Sequence, residues 1–179
     1  MSLGGIGFTT DFTGVHCAIQ DAHAAGMIIV AVAGNFTQMV DVYPAAFREV
    51  ISVTATNRRQ KPWGNSAYVD HVTVAAPGEG VHVANVRPND QGDYVRGCGP
   101  SNGTRCTAHH VAGIAAMWFE KHGGRQACMR KLGSGYAVQE QFLRDLTRKA
   151  LNIDQDVRRY GKGLVNAAAT LFPEVDSRL

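Results

Sequence analysis

Apolar residues early in the chain recur at steps of three and four: Phe12, Val15, Ile19, Ala22 and Ala25. That spacing paints one stripe of a helix over 11–25. Thr10 or Asp11 can cap its start, and Gly26 stops it. The period then changes. Met27–Ala33 is a short, unbroken apolar run rich in β-branched residues, which predicts a strand buried on both faces. Val50–Ala55 and Val72–Ala75 read the same way. A helix leading directly into a doubly buried strand is half of a βαβ unit, so the pattern predicts an α/β fold with a parallel sheet flanked by helices.

Beyond Gly78 the pattern alternates. Val81–Val86 and Asp93–Arg96 predict a short β-hairpin turning at Pro88–Gly92. Gly97–Thr104 is too rich in Gly and Pro for a helix or a strand. A helix over about 105–121 follows. Ala108, Ala112, Gly113, Ala115 and Ala116 make it small-residue and nearly uncharged, which predicts a central, buried helix. An amphipathic helix over 139–151 carries Phe142, Leu143, Leu146 and Leu151, and a short one over 163–171 closes the pattern.

Composition narrows the function classes. Lys and Arg exceed Asp and Glu by 18 − 15 = +3, spread along the chain, so there is no dense basic stripe for nucleic acid. The longest apolar run, near 27–34, is far short of the ~20 residues of a membrane span. The opening residues have neither the basic region nor the apolar core of a signal peptide. Cys17, Cys98, Cys106 and Cys128 lack CxxC spacing and read as small, largely buried thiols, with a Cys98–Cys106 bridge left open. No metal site and no cofactor are expected.

Six separated motifs stand in order: Met1-Ser2-Leu3-Gly4-Gly5, Ala33-Gly34-Asn35, Tyr43-Pro44-Ala45, Ala75-Ala76-Pro77-Gly78, Asn102-Gly103-Thr104 with His110-Val111-Ala112-Gly113, and Tyr160-Gly161-Lys162-Gly163-Leu164-Val165-Asn166-Ala167. Each alone is weak. Together they resemble the subtilisin-like serine proteases (subtilases, peptidase S8), over about residues 1–170 but only the C-terminal portion of that family's catalytic domain. The resemblance implies a partial subtilisin-like domain over 1–179, acting on extended peptide or protein substrates, and a secreted or extracellular location. It implies that Ser2, Leu3 and Gly4 form a strand that pairs with substrate backbone, with Ala33 and Gly34 completing the binding strip. It implies that Asn35, after a parallel strand, donates its side-chain amide to the tetrahedral oxyanion.

Three departures from the family matter. The nucleophile position, counted forward from Gly-Thr or back from His-Val-Ala-Gly, holds Arg105. A guanidinium stays protonated and cannot attack a carbonyl. The family's Asp and catalytic His precede the Ser-Leu-Gly-Gly strand, inside which these residues begin. Ala108-His109 replaces the usual Ser-Pro or Thr-Pro, leaving His109 and His110 about 100° apart on a helix; His110 reads as a structural helix residue. Cys106, one position past the nucleophile, is a weak substitute: its thiol points away and it has no identifiable base.

The opening Met falls mid-strand relative to the family. That fits an internal start, a truncated gene, a fragment of a longer chain, or a degenerate short protein. The resulting expectation is the C-terminal part of a serine endopeptidase, inactive as these residues stand, with the domain's N-terminal segment as a partner. The alternative is a pseudoprotease that keeps a peptide groove without the chemistry.

Overall fold

The computed structural model describes residues 1–7, 12–35, 40–148, 150–151 and 156–172. In chain order its elements are β1 (Gly5–Ile6), α1 (Thr13–Ala24), β2 (Val30–Val32), β3 (Val42–Tyr43), β4 (Ile51–Thr56), β5 (Val74–Pro77), β6 (Val81–Pro88), β7 (Tyr94–Ser101), α2 (Thr104–Lys121), α3 (Arg125–Leu132), α4 (Gly135–Arg148), α5 (Val157–Tyr160) and α6 (Ala167–Leu171).

The three apolar runs become a parallel sheet in the order β2-β4-β5, with Val30 opposite Ile51 and Val53 opposite Val74. Every residue of the central strand β4 is buried. Alternation along the strands divides the core. Val30, Val32, Ile51, Val53, Val74 and Ala76 face α2 and α4, packing on Val111, Ile114, Trp118, Phe142 and Leu146. Ile29 and Ala31 face the other way, onto Ile19 of α1 and Phe47. Helices thus cover both faces of the sheet, as the hydrophobic runs require. Met1 lies along the free edge of β2: its amino group donates to the Val30 carbonyl and its carbonyl accepts from the Val32 N–H at 3.3 Å.

Several local expectations are corrected. Gly97–Ser101, read as irregular, is the second half of β7, pairing Gly97 with Asn85 and Ser101 with Val81. The ribbon has only two strands, so each is an edge, where Gly and even Pro100 are tolerated. The strand expected over 27–33 is confined to Val30–Val32. α4 begins earlier and ends before Leu151, whose N–H and carbonyl instead pair with Leu164 at 2.8 and 3.0 Å. Gly163–Val165 is drawn out of the final helix by backbone bonds to Ala75; α6 starts after Asn166, whose side chain caps Ala169 N–H at 3.0 Å. α3, which sequence pattern missed, has a single buried residue, Cys128, so it shows too little apolar periodicity to read. The proposed caps Thr10 and Asp11 lie outside the described residues.

The largest correction concerns α2. The small-residue pattern predicts a central, buried helix. One face is: Thr104, Cys106, Thr107, Ala108, Val111, Ile114, Ala115 and Trp118 are buried. The other face, with Arg105, His109, Ala112, Gly113, Ala116 and Met117, is exposed.

Candidate functional site

The site forms where the parallel strands end. β2 runs out into Ala33 and Gly34, both buried. The Ala33 N–H donates to Val53 O at 2.9 Å, and Gly34 O accepts from Ala67 N–H at 3.1 Å. These bonds hold the chain at the sheet edge and leave Asn35 as the first exposed residue beyond it. β5 runs out into Gly78. A Cβ there would lie 2.6 Å from Ala55 Cβ and 2.8 Å from Thr107 Cγ2, so only glycine lets this strand end approach α2. The Gly78 carbonyl then accepts from the Gly103 N–H at 2.8 Å, and Asn102 Oδ1 accepts from the Gly80 N–H at 2.7 Å. The loop before α2 is thereby tied to the strand end.

Gly103 takes φ 137, a conformation L side chains resist, and turns the chain into α2. Asn35, 69 residues earlier, meets that first turn. Its Oδ1 accepts from the Thr104 N–H at 3.1 Å and from the Thr104 hydroxyl at 2.8 Å. A helix has orphan N–H groups at its start, and here a distant side chain satisfies one, because Gly103 has no side chain to do so. Thr107 locks the same turn, its hydroxyl donating to Thr104 O at 2.6 Å.

With the Asn35 oxygen committed to Thr104, its NH2 faces the other way, over Gly103. A Cβ on Gly103 would sit 3.5 Å from Asn35 Nδ2 and 3.5 Å from Arg105 Nε. Both nitrogens thus lie within van der Waals reach of the place a side chain on residue 103 would take, beside a buried glycine. Arg105 is exposed and joins none of the ion pairs among the described residues.

The structure thus brings Asn35 and Arg105 together, as the motif register required. It does not gather the remaining candidates. Ser2, Leu3 and Gly4 are exposed and outside any strand; the regular pairing begins one residue later, Gly5 opposite Tyr43. Gly4 is held close to β3, where a Cβ would collide with the Val42 side chain. Cys106 is buried, and all four cysteines are free thiols, so Cys98 and Cys106 are not bridged. Among the described residues no group of three or more His, Cys, Asp or Glu could hold a metal ion. Sequence reading missed the anchoring roles of Gly78, Asn102, Thr104 and Thr107. The Pro-Gly and Asn-Gly-Thr motifs contained the signal, but not the partner each residue finds.

A parallel sheet whose strand ends carry an amide donor against the N-terminus of a central helix is the architecture of a subtilisin-like protease. The comparisons agree: the chain belongs to the subtilase family, whose Peptidase_S8 model matches residues 1–163. It is 31% identical to Subtilisin DY of Bacillus licheniformis over 173 residues, covering 94% of this chain and 54% of that protein. It is 30% identical to Subtilisin E of Bacillus subtilis (strain 168) over 174 residues, covering 94% of this chain and 39% of that protein. Among solved structures, a protease from Pseudoalteromonas arctica PAMC 21717 superposes with TM-score 0.77 at 25% identity, over 98% of this chain and 50% of that one. The chain therefore spans about half the length of the relatives it matches.

Proposed function

We propose that these residues are the C-terminal part of a subtilisin-like serine endopeptidase domain that binds extended peptide but does not hydrolyse it unaided. The observation that carries the reading is the first turn of α2. Asn35 is seated there as an oxyanion donor would be, while the adjacent nucleophile position is Arg105. Acyl transfer needs a hydroxyl, a base to take its proton, and a carboxylate to fix the base's tautomer. A guanidinium supplies none of these. The binding strip in this reading is Ser2–Gly4 with Ala33 and Gly34, contributing backbone groups; a secreted location follows from the family resemblance. No helix among the described residues is long and apolar enough to cross a membrane.

The partner in this reading is the domain's N-terminal segment, in cis or in trans. The exposed face of α2 supports it. On one side of that face is an apolar cleft of about 410 Å³ lined by Met1, Val15, Ala18, Met27, Ile28 and Ala112. On the other side is one of about 480 Å³ lined by Pro77, His109, Gly113, Ile114, Met117 and Val165. Apolar clefts of this kind on both sides of an exposed helix face call for a covering layer.

The test is a fluorogenic peptide assay on three samples: the chain, Arg105→Ser, and Arg105→Ser mixed with a family-type N-terminal segment carrying Asp and His. The first two are expected to be inactive and the third active. Turnover by the unmodified chain, blocked by a serine-directed or thiol-directed inhibitor, would overturn the inactive reading.

A further inference from the structure

We propose that the cleft between α1 and α4 is a binding site for a primary ammonium group on a flexible aliphatic stem. The cleft lies at the end of the sheet where β2 and β4 begin, opposite the Asn35 end. It is therefore independent of the protease reading.

The cleft has a volume of about 800 Å³, within the range of small-molecule sites. Its buried side is firmly built. The Glu49 carboxylate is 7% exposed and pairs with His16 Nε2 at 3.1 Å, Gln20 Nε2 at 3.4 Å and Arg48 Nε at 3.3 Å. Gln139 commits both ends of its amide: Oε1 accepts from the Ile29 N–H at 2.7 Å, and Nε2 donates to the Glu49 carbonyl at 2.7 Å. Gly135 packs on Ala24, where a Cβ would collide with the Ala24 carbonyl. These contacts fix α1, α4 and the start of β4 against one another, so the cleft is preformed.

The lining says what the cleft selects. Asp21, Glu49 and Glu140 set three carboxylates against one guanidinium, Arg48, which is largely exposed. His23 also lines the cleft, and burial holds its imidazole below the usual range despite the opposing pull of Glu49 and Glu140, so it adds no charge at neutral pH. The cleft is therefore net negative and draws a cation. Among the described residues no group of three or more His, Cys, Asp or Glu could hold a metal ion, so the acceptors are spread as a larger, organic cation needs. Both ring nitrogens of His23 are shielded from solvent and have no hydrogen-bond partner, whereas buried polar groups nearly always find one. A neutral imidazole keeps one nitrogen as an acceptor, and an ammonium N–H answers it. Tyr136 meets the His23 ring edge-on at 5.1 Å and is 52% exposed. In this proposal the Tyr136 ring turns aside to admit the ammonium to His23 and then lies against its stem, with Ala24 and Leu143 as the apolar wall.

The experiment is an NMR titration of the isotopically labelled full chain at neutral pH and low salt. The probes are cadaverine, its neutral counterpart pentanediol, and a lysine tripeptide blocked at both ends. Cadaverine is expected to bind at least roughly 10-fold more tightly than the diol, the lower end of a charge-assisted hydrogen bond, and to shift the ring signals of His23 and Tyr136. Asp21→Asn combined with Glu140→Gln should weaken it about 2–10-fold with the Tm unchanged, since both residues are exposed. Arg48→Ala should strengthen it by removing the competing cation. His23→Phe keeps a ring but removes the acceptor, and should weaken cadaverine without lowering the Tm. The same shifts on adding the lysine peptide assign the site to a lysine side chain of a partner; binding of cadaverine alone assigns it to a free amine. Comparable binding of diamine and diol, binding that leaves the His23 and Tyr136 signals unmoved, full affinity in His23→Phe, or no binding of either amine overturns the site.

Discussion

The two long faces of α2 differ in what they specify. The buried face carries Val111, Ile114 and Trp118 into the core beneath β2, β4 and β5, and Trp118 Nε1 donates to Asp145 Oδ2 at 3.0 Å across to α4. That face anchors the helix in the core. The exposed face begins with Arg105 and continues through His109, Ala112 and Ala116. It contributes little to holding the helix but decides what chemistry its N-terminus presents. A substitution at position 105 can thus leave the frame intact, because Arg105 lies on the exposed face.

The largest effect expected from this division is on the buried face. Trp118→Ala should destabilise by about 3–5 kcal/mol, the range for removing a fully buried aromatic; Ala116→Ser on the exposed face should stay within about 0.5 kcal/mol. Urea unfolding of both variants measures the contrast. Comparable losses from the two would show that the exposed face is packed after all. Titrating an N-terminal family segment onto the Ala116 variant sharpens the same comparison, because a covered face should then register the extra hydroxyl as weaker association.

An intermediate effect is expected where the two faces meet. Thr104→Val removes the hydrogen bond that the Thr104 hydroxyl donates to Asn35 Oδ1 while keeping the one from its backbone N–H, and should cost about 0.5–1.5 kcal/mol. A double-mutant cycle with Asn35→Ala isolates the coupling. Additive losses would mean that the Thr104 hydroxyl does not help to hold Asn35.

A smaller effect lies away from α2. Burial holds the His71 imidazole below its usual range, against the opposing pull of Asp41 at 3.2 Å and of Asp70. Its folded-state value is lower than the unfolded ~6.5, so the unfolded chain takes the proton first. Stability from this group is present above about pH 6.5 and is lost as pH falls through the depressed value. The Tm should therefore drop between pH 7.5 and 5.5, and His71→Gln should flatten part of that slope. An unchanged slope would assign the pH dependence to other groups; the half-buried His23, also lowered by burial, is the next to test.

These contrasts also show how much could be read from sequence. The parallel strands were legible because β2, β4 and β5 are short, β-branched runs buried on both faces, even though one face of β4 carries the hydroxyls of Ser52, Thr54 and Thr56. The contact between Asn35 and the start of α2 was legible through motif register rather than through periodicity. Other features were hidden because their cause is tertiary. Gly97–Ser101 is a strand only because β6 offers a partner, and Leu151 leaves its helix only because Leu164 pairs with it. The small residues of α2 signalled close packing correctly. They did not say that only one side of the helix finds its packing partners among these residues.

The central claim is that this chain by itself holds Asn35 on the first turn of α2, with its Oδ1 on Thr104 and its Nδ2 beside Gly103. The most direct measurement is a nuclear Overhauser spectrum of the isotopically labelled chain. It should show cross-peaks from the Asn35 side-chain NH2 protons to the Gly103 Hα, and those peaks should weaken in Thr104→Val. Their absence from the folded, unsubstituted chain, with the Asn35 amide exchanging as a free solvent-exposed group, would contradict the account.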